Sequence, residues 1–586
     1  MANKSCLLSC GAIFSLASCT LILAQSLQPS TELGRSGFAG APREVIASIL
    51  PELTSADAAA HPPIQRPMDG LTDAEYRAKK AAAAQGTHPA PGWAVPAGGP
   101  SVLTYTATAT KNFLGIGEQG IIPSDMGLAV GPSFILQAVN VSFTVMDKNG
   151  VTQPGFPKAL NTFFGLPNDA YTTDPRALYD WVNNRYVLIM LYETDRSSSS
   201  NQGFLLLAVS QTSDPRGAWW NYGPVFQIGA AGECPDYPGL GQDHTNWTNS
   251  AKGAIYVNIN QFGGTTNPCG TGQFIQNYVL LLPKSPIFSG LGFSYWFQSG
   301  LLARGVLVDT LQPVNVMNKA DRPRAEFMVN TFNIRSGGGF CFNGCNGLVV
   351  WAISNPFGFI SGGPSPEFSR VVVATPHNYF FPTAADEPGC SGCIETFDTR
   401  ISGTTNYSAG SIFGAYETKD PFFNTGENSP VWFEVHPILN DNDARCTGSF
   451  LNACPQITAA NLRQEGCFVC GGWANHGSAY FGTLQSDPEN NLTMVFNFSS
   501  MTTFPGTAYT SRRVTYGDNL MHDRGIFLRS GLAFYNQFRW GDYTGTAPDL
   551  AIPNSPFMWF SGMFSDLTGA WATGIGRDGF TTPSVP

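Results

Sequence analysis

The stretch Ser213-Asp214-Pro215-Arg216-Gly217-Ala218-Trp219 recurs near the other end of the chain as Ser565-Asp566-Leu567-Thr568-Gly569-Ala570-Trp571, each time between runs of β-branched and aromatic residues. The turn chemistry is legible: an Asp caps its own backbone, a Gly supplies positive φ, and a Trp packs the returning strand. Self-similarity in a β-rich chain predicts repeated sheets, and a repeated hairpin corner points to a β-propeller. Neither copy holds a catalytic pair, so the motif speaks for architecture and not for activity.

Outward from these turns, strand signals recur: Tyr105 to Thr110, Phe134 to Met146, Tyr186 to Tyr192, Phe204 to Val209, Ala254 to Ile259, and onward to Leu492 to Phe498. Helical periodicity is nearly absent. A weaker repeat ends several strands with an apolar run, then Ser and Pro, as in Leu281 to Pro286 and Trp351 to Pro356. Over Thr104 to Gly576 such units leave room for about six or seven four-stranded blades. Tyr105 to Thr110 is expected beside Trp571 to Ile575, closing the ring and removing free edges.

Composition agrees with an all-β fold. Only 13% of the 586 residues are charged, while 64 Gly and 42 Pro suit many short strands joined by tight turns. The net charge of −10, with Lys and Arg scattered, leaves no basic stripe to neutralise phosphates, which excludes nucleic acid as an expected partner.

Lys4, the apolar run Cys6 to Leu23 and Ala24 have the layout of a secretory signal peptide over residues 1–24. The alternative is a cell-envelope lipoprotein anchored through Cys19 of Leu16-Ala17-Ser18-Cys19. Residues 25–100 are rich in Ala and Pro, with one short helix expected over Thr72 to Ala84, and read as an extension or linker; 101–586 form the propeller domain. No other stretch approaches the ~20 apolar residues of a membrane span, so the expected product is secreted, without a transmembrane segment.

Of 13 cysteines three lie in the leader, leaving Cys234, Cys269, Cys341, Cys345, Cys390, Cys393, Cys446, Cys454, Cys467 and Cys470. An exported chain with an even number predicts disulfides. Proximity suggests 341 with 345, 390 with 393, 446 with 454, 467 with 470, and leaves 234 with 269. The alternative joins the two Cys-x-x-Cys motifs into a zinc site. Glycosylation sequons occur at Asn140, Asn246, Asn406, Asn491 and Asn497.

A glycosidase needs two carboxyl groups with separated pKa values. Asp174, Asp236 and Asp542 lie at strand ends, as do Asp125, Asp243 and Glu434. Propeller blades bring such positions to one axial mouth. Arg176 and Arg539 are candidate clamps for a substrate carboxylate. The competing reading makes these Asp residues turn caps and the arginines their buried supports. Glu434-x-His436 would face one side of a strand and is the better weak metal candidate. No cofactor is identified; calcium is allowed by the many hard oxygen ligands, although no EF-hand loop is present. A Gly-x-Ser-x-Gly elbow is lacking. Trp219-Trp220 and Tyr295-Trp296-Phe297 serve either blade packing or sugar stacking.

The string Pro123-Ser124-Asp125-Met126-Gly127-Leu128-Ala129-Val130-Gly131-Pro132, with Gln137-Ala138-Val139-Asn140 and Asp147-Lys148-Asn149-Gly150, resembles a widespread family of exported bacterial β-propeller proteins. Further matches follow in order: Asp174-Pro175-Arg176-Ala177-Leu178-Tyr179-Asp180, Asp236-Tyr237-Pro238-Gly239-Leu240-Gly241 and Arg539-Trp540-Gly541-Asp542-Tyr543. That resemblance spans Asp125 to Gly576 and implies the fold, while the family is mostly without an assigned activity. The blade turns also resemble the Asp boxes of sialidases, but Asp and Gly stand three apart here, and the three-arginine carboxylate clamp of sialidases is not identifiable. The expected function is a binding or adhesion module for extracellular glycans or protein surfaces. Alternatives are a glycoside hydrolase or lyase using converging carboxylates, and a structural envelope protein.

Overall fold

The computed structural model describes residues 32–54, 57, 64–65, 73–85, 110–168, 170–263, 273–334, 344–419, 427–440, 455–468, 477–515, 519–521, 525–551 and 555–580. The proposed signal peptide, Cys19, Cys269, Cys341, Cys446, Cys454 and Cys470 lie outside these residues. Among the described residues no helix is long and apolar enough to cross a membrane.

The chain is all-β, as its composition predicts. Among the described residues, seven antiparallel sheets of four or more strands follow one another, and each begins with an inner strand: β1 (Gly127–Val130), β2 (Tyr171–Asp180), β3 (Glu233–Gln242), β4 (Gln312–Val316), β5 (Thr405–Ser408), β6 (Ser478–Ser486) and β7 (Gly545–Pro548). Each inner strand packs against the next, and β7 packs against β1, so the seven form a closed circuit.

Hydrophobic patterning explains the packing. Arg185–Glu193 is apolar at nearly every position because both its faces are covered. Tyr186, Leu188 and Met190 point into a core shared with the first sheet, while Val187, Ile189 and Leu191 point into a core shared with the third. Alternate side chains of a strand take opposite faces, so a sheet buried on both sides loses the polar alternation of an exposed one.

Closure differs in detail from the sequence expectation. The strand that completes the seventh sheet is Lys111–Gly117, paired with Trp571–Gly579 through Arg577↔Lys111 and Ala572↔Gly117. Of the expected Tyr105 to Thr110, residues 105–109 lie outside the described residues. The continuous strand expected from Phe134 to Met146 is instead a hairpin of Phe134–Val139 and Ser142–Asp147. It breaks at Asn140, whose side-chain amide is drawn to Asp125 and the Pro123 carbonyl.

The two quoted turns make the expected caps. Asp214 accepts from the Arg216 N–H and Asp566 from the Thr568 N–H. They are nevertheless not equivalent: the first joins the third and fourth strands of its sheet, Gly203–Ser210 and Ala218–Ile228, and the second joins the second and third of its own, Phe557–Ser565 and Trp571–Gly579. Gly569 has φ +78°, but Gly217 does not adopt the left-handed conformation. The repeat is therefore one of turn chemistry and not of position in the sheet.

Part of the Ala- and Pro-rich segment is packed on the ring. Leu33–Ala39 pairs with Phe293–Ser299, and Arg43–Ile46 pairs with Ala218–Asn221, each adding an outer strand. The helix α1 (Asp73–Gln85), close to the expected bounds, buries Tyr76 and Lys80.

Candidate functional site

The inner strands begin at one mouth of the ring, and there the backbone takes unusual shapes. Asp125, Asp174 and Tyr237 have φ of 33°, 57° and 53°. Asp tolerates this left-handed region better than most residues. β-bulges between Thr173 and Arg176 and between Asp236 and Gly239 re-aim the strand starts.

The carboxylates so placed tie neighbouring sheets together. Asp125 Oδ1 accepts from the Asp542 backbone N–H at 2.8 Å, and its Oδ2 accepts from Asn140 Nδ2 at 2.7 Å. Asn140 Oδ1 accepts the Asp174 N–H at 2.8 Å, and Asp174 Oδ2 accepts the Tyr237 N–H at 2.9 Å. The Tyr237 hydroxyl returns to the Asp542 carbonyl at 3.0 Å. One polar chain thereby links four sheets.

Arg176 stacks 3.2 Å from the Tyr543 ring centroid and donates through Nε to the Pro238 carbonyl at 2.8 Å. Arg539 Nη2 donates to Asp542 at 3.1 Å, and its Nη1 lies 3.9 Å from Glu395. Four of the five residues singled out as catalytic thus meet at the mouth. Asp236 pairs opposite Asn260 in the sheet and is half-buried.

Helix α1 lies directly on this cluster. The Tyr76 hydroxyl donates to Glu395 Oε1 and to the Phe397 carbonyl, both at 2.8 Å, and the Arg77 guanidinium sits 3.6 Å over the Phe538 ring. Asp174, Arg176, Arg539 and Asp542 are 2%, 7%, 3% and 4% exposed, so all four are closed to solvent in this conformation.

Burial sets the electrostatics. Desolvation, reinforced by Asp542 and Asp174, pushes the Asp125 carboxyl well above the usual carboxylate range. Desolvation raises Glu395 to about 7 against the pull of Arg539. It lowers Lys80 to about 7 despite the nearby Glu395 and Glu417.

An open cleft of about 220 Å³ lies beside the mouth, between the third and fourth sheets. Phe262, Phe274 and Phe332 give it apolar walls; Asn330, Asp309, Asp398 and Arg400 supply polar groups. Arg400 grips Asp398 with two bonds of 2.9 and 2.8 Å and lies 4.6 Å from the Tyr237 ring centroid, connecting cleft and mouth. Asp309 is exposed and, like Asp398, close enough to bias the Arg400 charge. Sequence reading missed Asp309, Asp398 and Arg400. Their available signal was position, since Asp309 and Asp398-Thr399-Arg400 precede β4 and β5 much as Asp125 precedes β1. A larger hollow of about 510 Å³ around Trp247 and Asn355 to Pro364 has no charged side chain in its lining.

Glu434 and His436 lie elsewhere, on Asn428–Leu439, where Glu434 accepts from Ser411 at 2.7 Å and from Gln464 at 3.2 Å. Asp243 accepts from Trp247, Tyr256 and the Ala254 N–H, a set of bonds that locks it in place. Among the described residues no three His, Cys, Asp or Glu side chains gather as a metal site. Cys390 and Cys393 are disulfide-bonded to each other, which removes both from the zinc alternative. Cys234, Cys345 and Cys467 are disulfide-bonded as well.

No protein-family model matches the chain, and no curated protein matches it. Solved structures similar to it include a protein of unknown function from Dyadobacter fermentans, at 10% identity and a TM-score of 0.33, covering 71% of this chain and 96% of that one. The Trypanosoma rangeli sialidase in complex with sialic acid is similar at 9% identity and a TM-score of 0.31, covering 75% of this chain and 57% of its own. A polysaccharide lyase described as an ulvan lyase follows at 11% identity and a TM-score of 0.32, covering 78% and 92%. At these scores the likeness is loose and carries nothing about activity.

Proposed function

We propose that the chain is a secreted seven-bladed β-propeller that binds extracellular glycans in the cleft walled by Phe262, Phe274 and Phe332. One observation carries this reading. The cleft combines apolar ring walls with the exposed Asp309 carboxylate and the half-buried Asp398–Arg400 pair, the pairing that sugar recognition uses, since a sugar offers a flat C–H face and a rim of hydroxyls. Asp398 and Arg400 are held rigid by their mutual bonds, which lowers the entropy lost on binding. In this reading Asp125, Asp174 and Asp542 pin the sheets, and Arg176 and Arg539 support them. Their burial, and the backbone N–H groups held by Asp125 and Asp174, favour that role over catalysis.

A second reading, hydrolysis or elimination, is favoured by one feature: Asp309 and Asp398 are two carboxylates flanking a single arginine in an open cleft. The deciding experiment is a glycan array probed with the purified mature chain, run with an assay for released reducing or unsaturated sugar. Binding that is lost in Phe274→Ala, without turnover, supports the binding module. Turnover lost in Asp309→Asn or Asp398→Asn makes the protein an enzyme, and silence on the array overturns the glycan reading.

A further inference from the structure

The larger hollow opens at the face of the ring opposite the mouth. β3 runs away from the mouth, and so does Cys345–Ser354, which is antiparallel to Glu326–Phe332, itself antiparallel to β4. Trp247 follows the first and Asn355 the second, so the hollow of about 510 Å³ that they line lies where these strands end. The cleft lies at the other end of the same two sheets, since Phe262 and Phe332 close strands that return to the mouth and Asp309 precedes β4.

The walls of this hollow are held in place. Trp247 is half-buried, and its Nε1 donates to Asp243 Oδ2 at 2.8 Å. Asp243 is fully buried and fixed in turn by the Tyr256 hydroxyl at 2.8 Å, so the indole ring is clamped. Asn249 Nδ2 ties in the facing wall, donating to the Phe357 carbonyl at 3.2 Å and to Ser361 Oγ at 3.4 Å. In that wall Gly362, at φ +74°, and Gly363 leave bare backbone in the lining. The side chains of Asn246, Thr248 and Asn355 also line the hollow and have no hydrogen-bond partner among the described residues.

We propose that this hollow is a second ligand site and that it binds an uncharged stretch of oligosaccharide. A clamped indole, two free amides, a free hydroxyl and no charged side chain select that class. A charged ligand would lose hydration without gaining a counter-charge, and a wholly apolar one would strip water from three polar side chains without replacing it. A neutral sugar meets both demands, laying its C–H face on the indole and offering hydroxyls to Asn246, Thr248 and Asn355. The volume falls within the roughly 300–1,000 Å³ of small-molecule sites. The hollow differs from the cleft in place and in charge, so neither site depends on the other.

The test uses the full mature chain labelled with fluorotryptophan. Fluorine NMR then gives a signal for each of 12 tryptophans, and Trp247→Phe identifies the one that belongs to the hollow. Cellohexaose, mannohexaose and xylohexaose are titrated to millimolar concentration as neutral probes, against hexagalacturonate as the charged one. At least one neutral probe is expected to shift the Trp247 signal saturably, while hexagalacturonate leaves it unmoved. Asn246→Ala/Thr248→Ala, which keeps the indole and its Asp243 partner, should weaken that binding by about tenfold. If Trp247→Phe fails to fold, the signal displaced in this double variant identifies Trp247 instead. Phe274→Ala should leave the response unchanged; a response that it abolishes belongs to the cleft and overturns the second site. The proposal is equally overturned if no neutral probe moves the signal, if hexagalacturonate moves it as far, or if the double variant binds as tightly as wild type. A silent hollow beside array binding that Phe274→Ala removes would sink this site and leave the cleft reading standing.

Discussion

The carboxylate of Asp125 holds the backbone N–H of Asp542 at 2.8 Å, across 417 positions of sequence, so the first sheet of the ring is latched to the last by one side chain. Lys111–Gly117 closes the same seam from the outer edge. A ring made of successive sheets is weakest where the chain's two ends meet, and here that joint has both an inner and an outer tie.

Asp125→Ala leaves the Asp542 N–H and the Asn140 amide without their buried acceptor. A buried donor left unpaired costs about 1–3 kcal/mol, and two together should lower stability by roughly 3 kcal/mol in urea unfolding. Leu567→Ala, at an exposed turn position, should cost clearly less. Equal losses would remove the latch from the account.

Tyr76→Phe deletes a hydroxyl that serves Glu395 and the Phe397 carbonyl while keeping the ring against Phe381 and Phe538. The expected cost is about 1–2 kcal/mol. Thermal unfolding that is unchanged would mean α1 adds little to the ring's stability.

His244 is 2% exposed, and burial, helped by the Lys284 ammonium, lowers it to about 4 from an ordinary 6.5. The folded protein keeps this imidazole neutral where the unfolded chain protonates it. Its contribution is therefore complete above about pH 6.5 and is lost as the pH falls toward 4. His244→Gln should flatten the stability curve in that window by up to about 1.4 kcal/mol per pH unit. An acid limb of unchanged slope would show that the imidazole does not control it.

In the cleft, Phe274→Ala and Arg400→Ala remove a wall and the connecting cation. Each should weaken glycan binding by about tenfold, equivalent to roughly 1.4 kcal/mol. Circular dichroism should show the fold intact for Phe274→Ala; an array profile that survives both changes would place binding elsewhere.

Much of the architecture could be read from residues alone, because it rests on local rules. Strands buried on both faces must be apolar throughout, as Arg185–Glu193 is, and caps such as Asp214 and Asp566 depend on neighbours two to four positions away. Those rules also brought four mouth residues onto one list, since Asp and Arg at strand starts are visible in sequence. They could not show that the Tyr237 N–H reaches Asp174 from the next sheet, which is the bond that bears on its role.

What the chain encodes locally is therefore the class of fold, the turns and the length of helix α1, each set by contacts within a few residues. Only tertiary structure decided where that helix rests, that the two matching turns occupy different corners, and that Asp309, Asp398 and Arg400 share a cleft. Those outcomes depend on which distant segments are pressed together when the ring closes, and burial and charge at a site follow from that closure and not from any one stretch of residues.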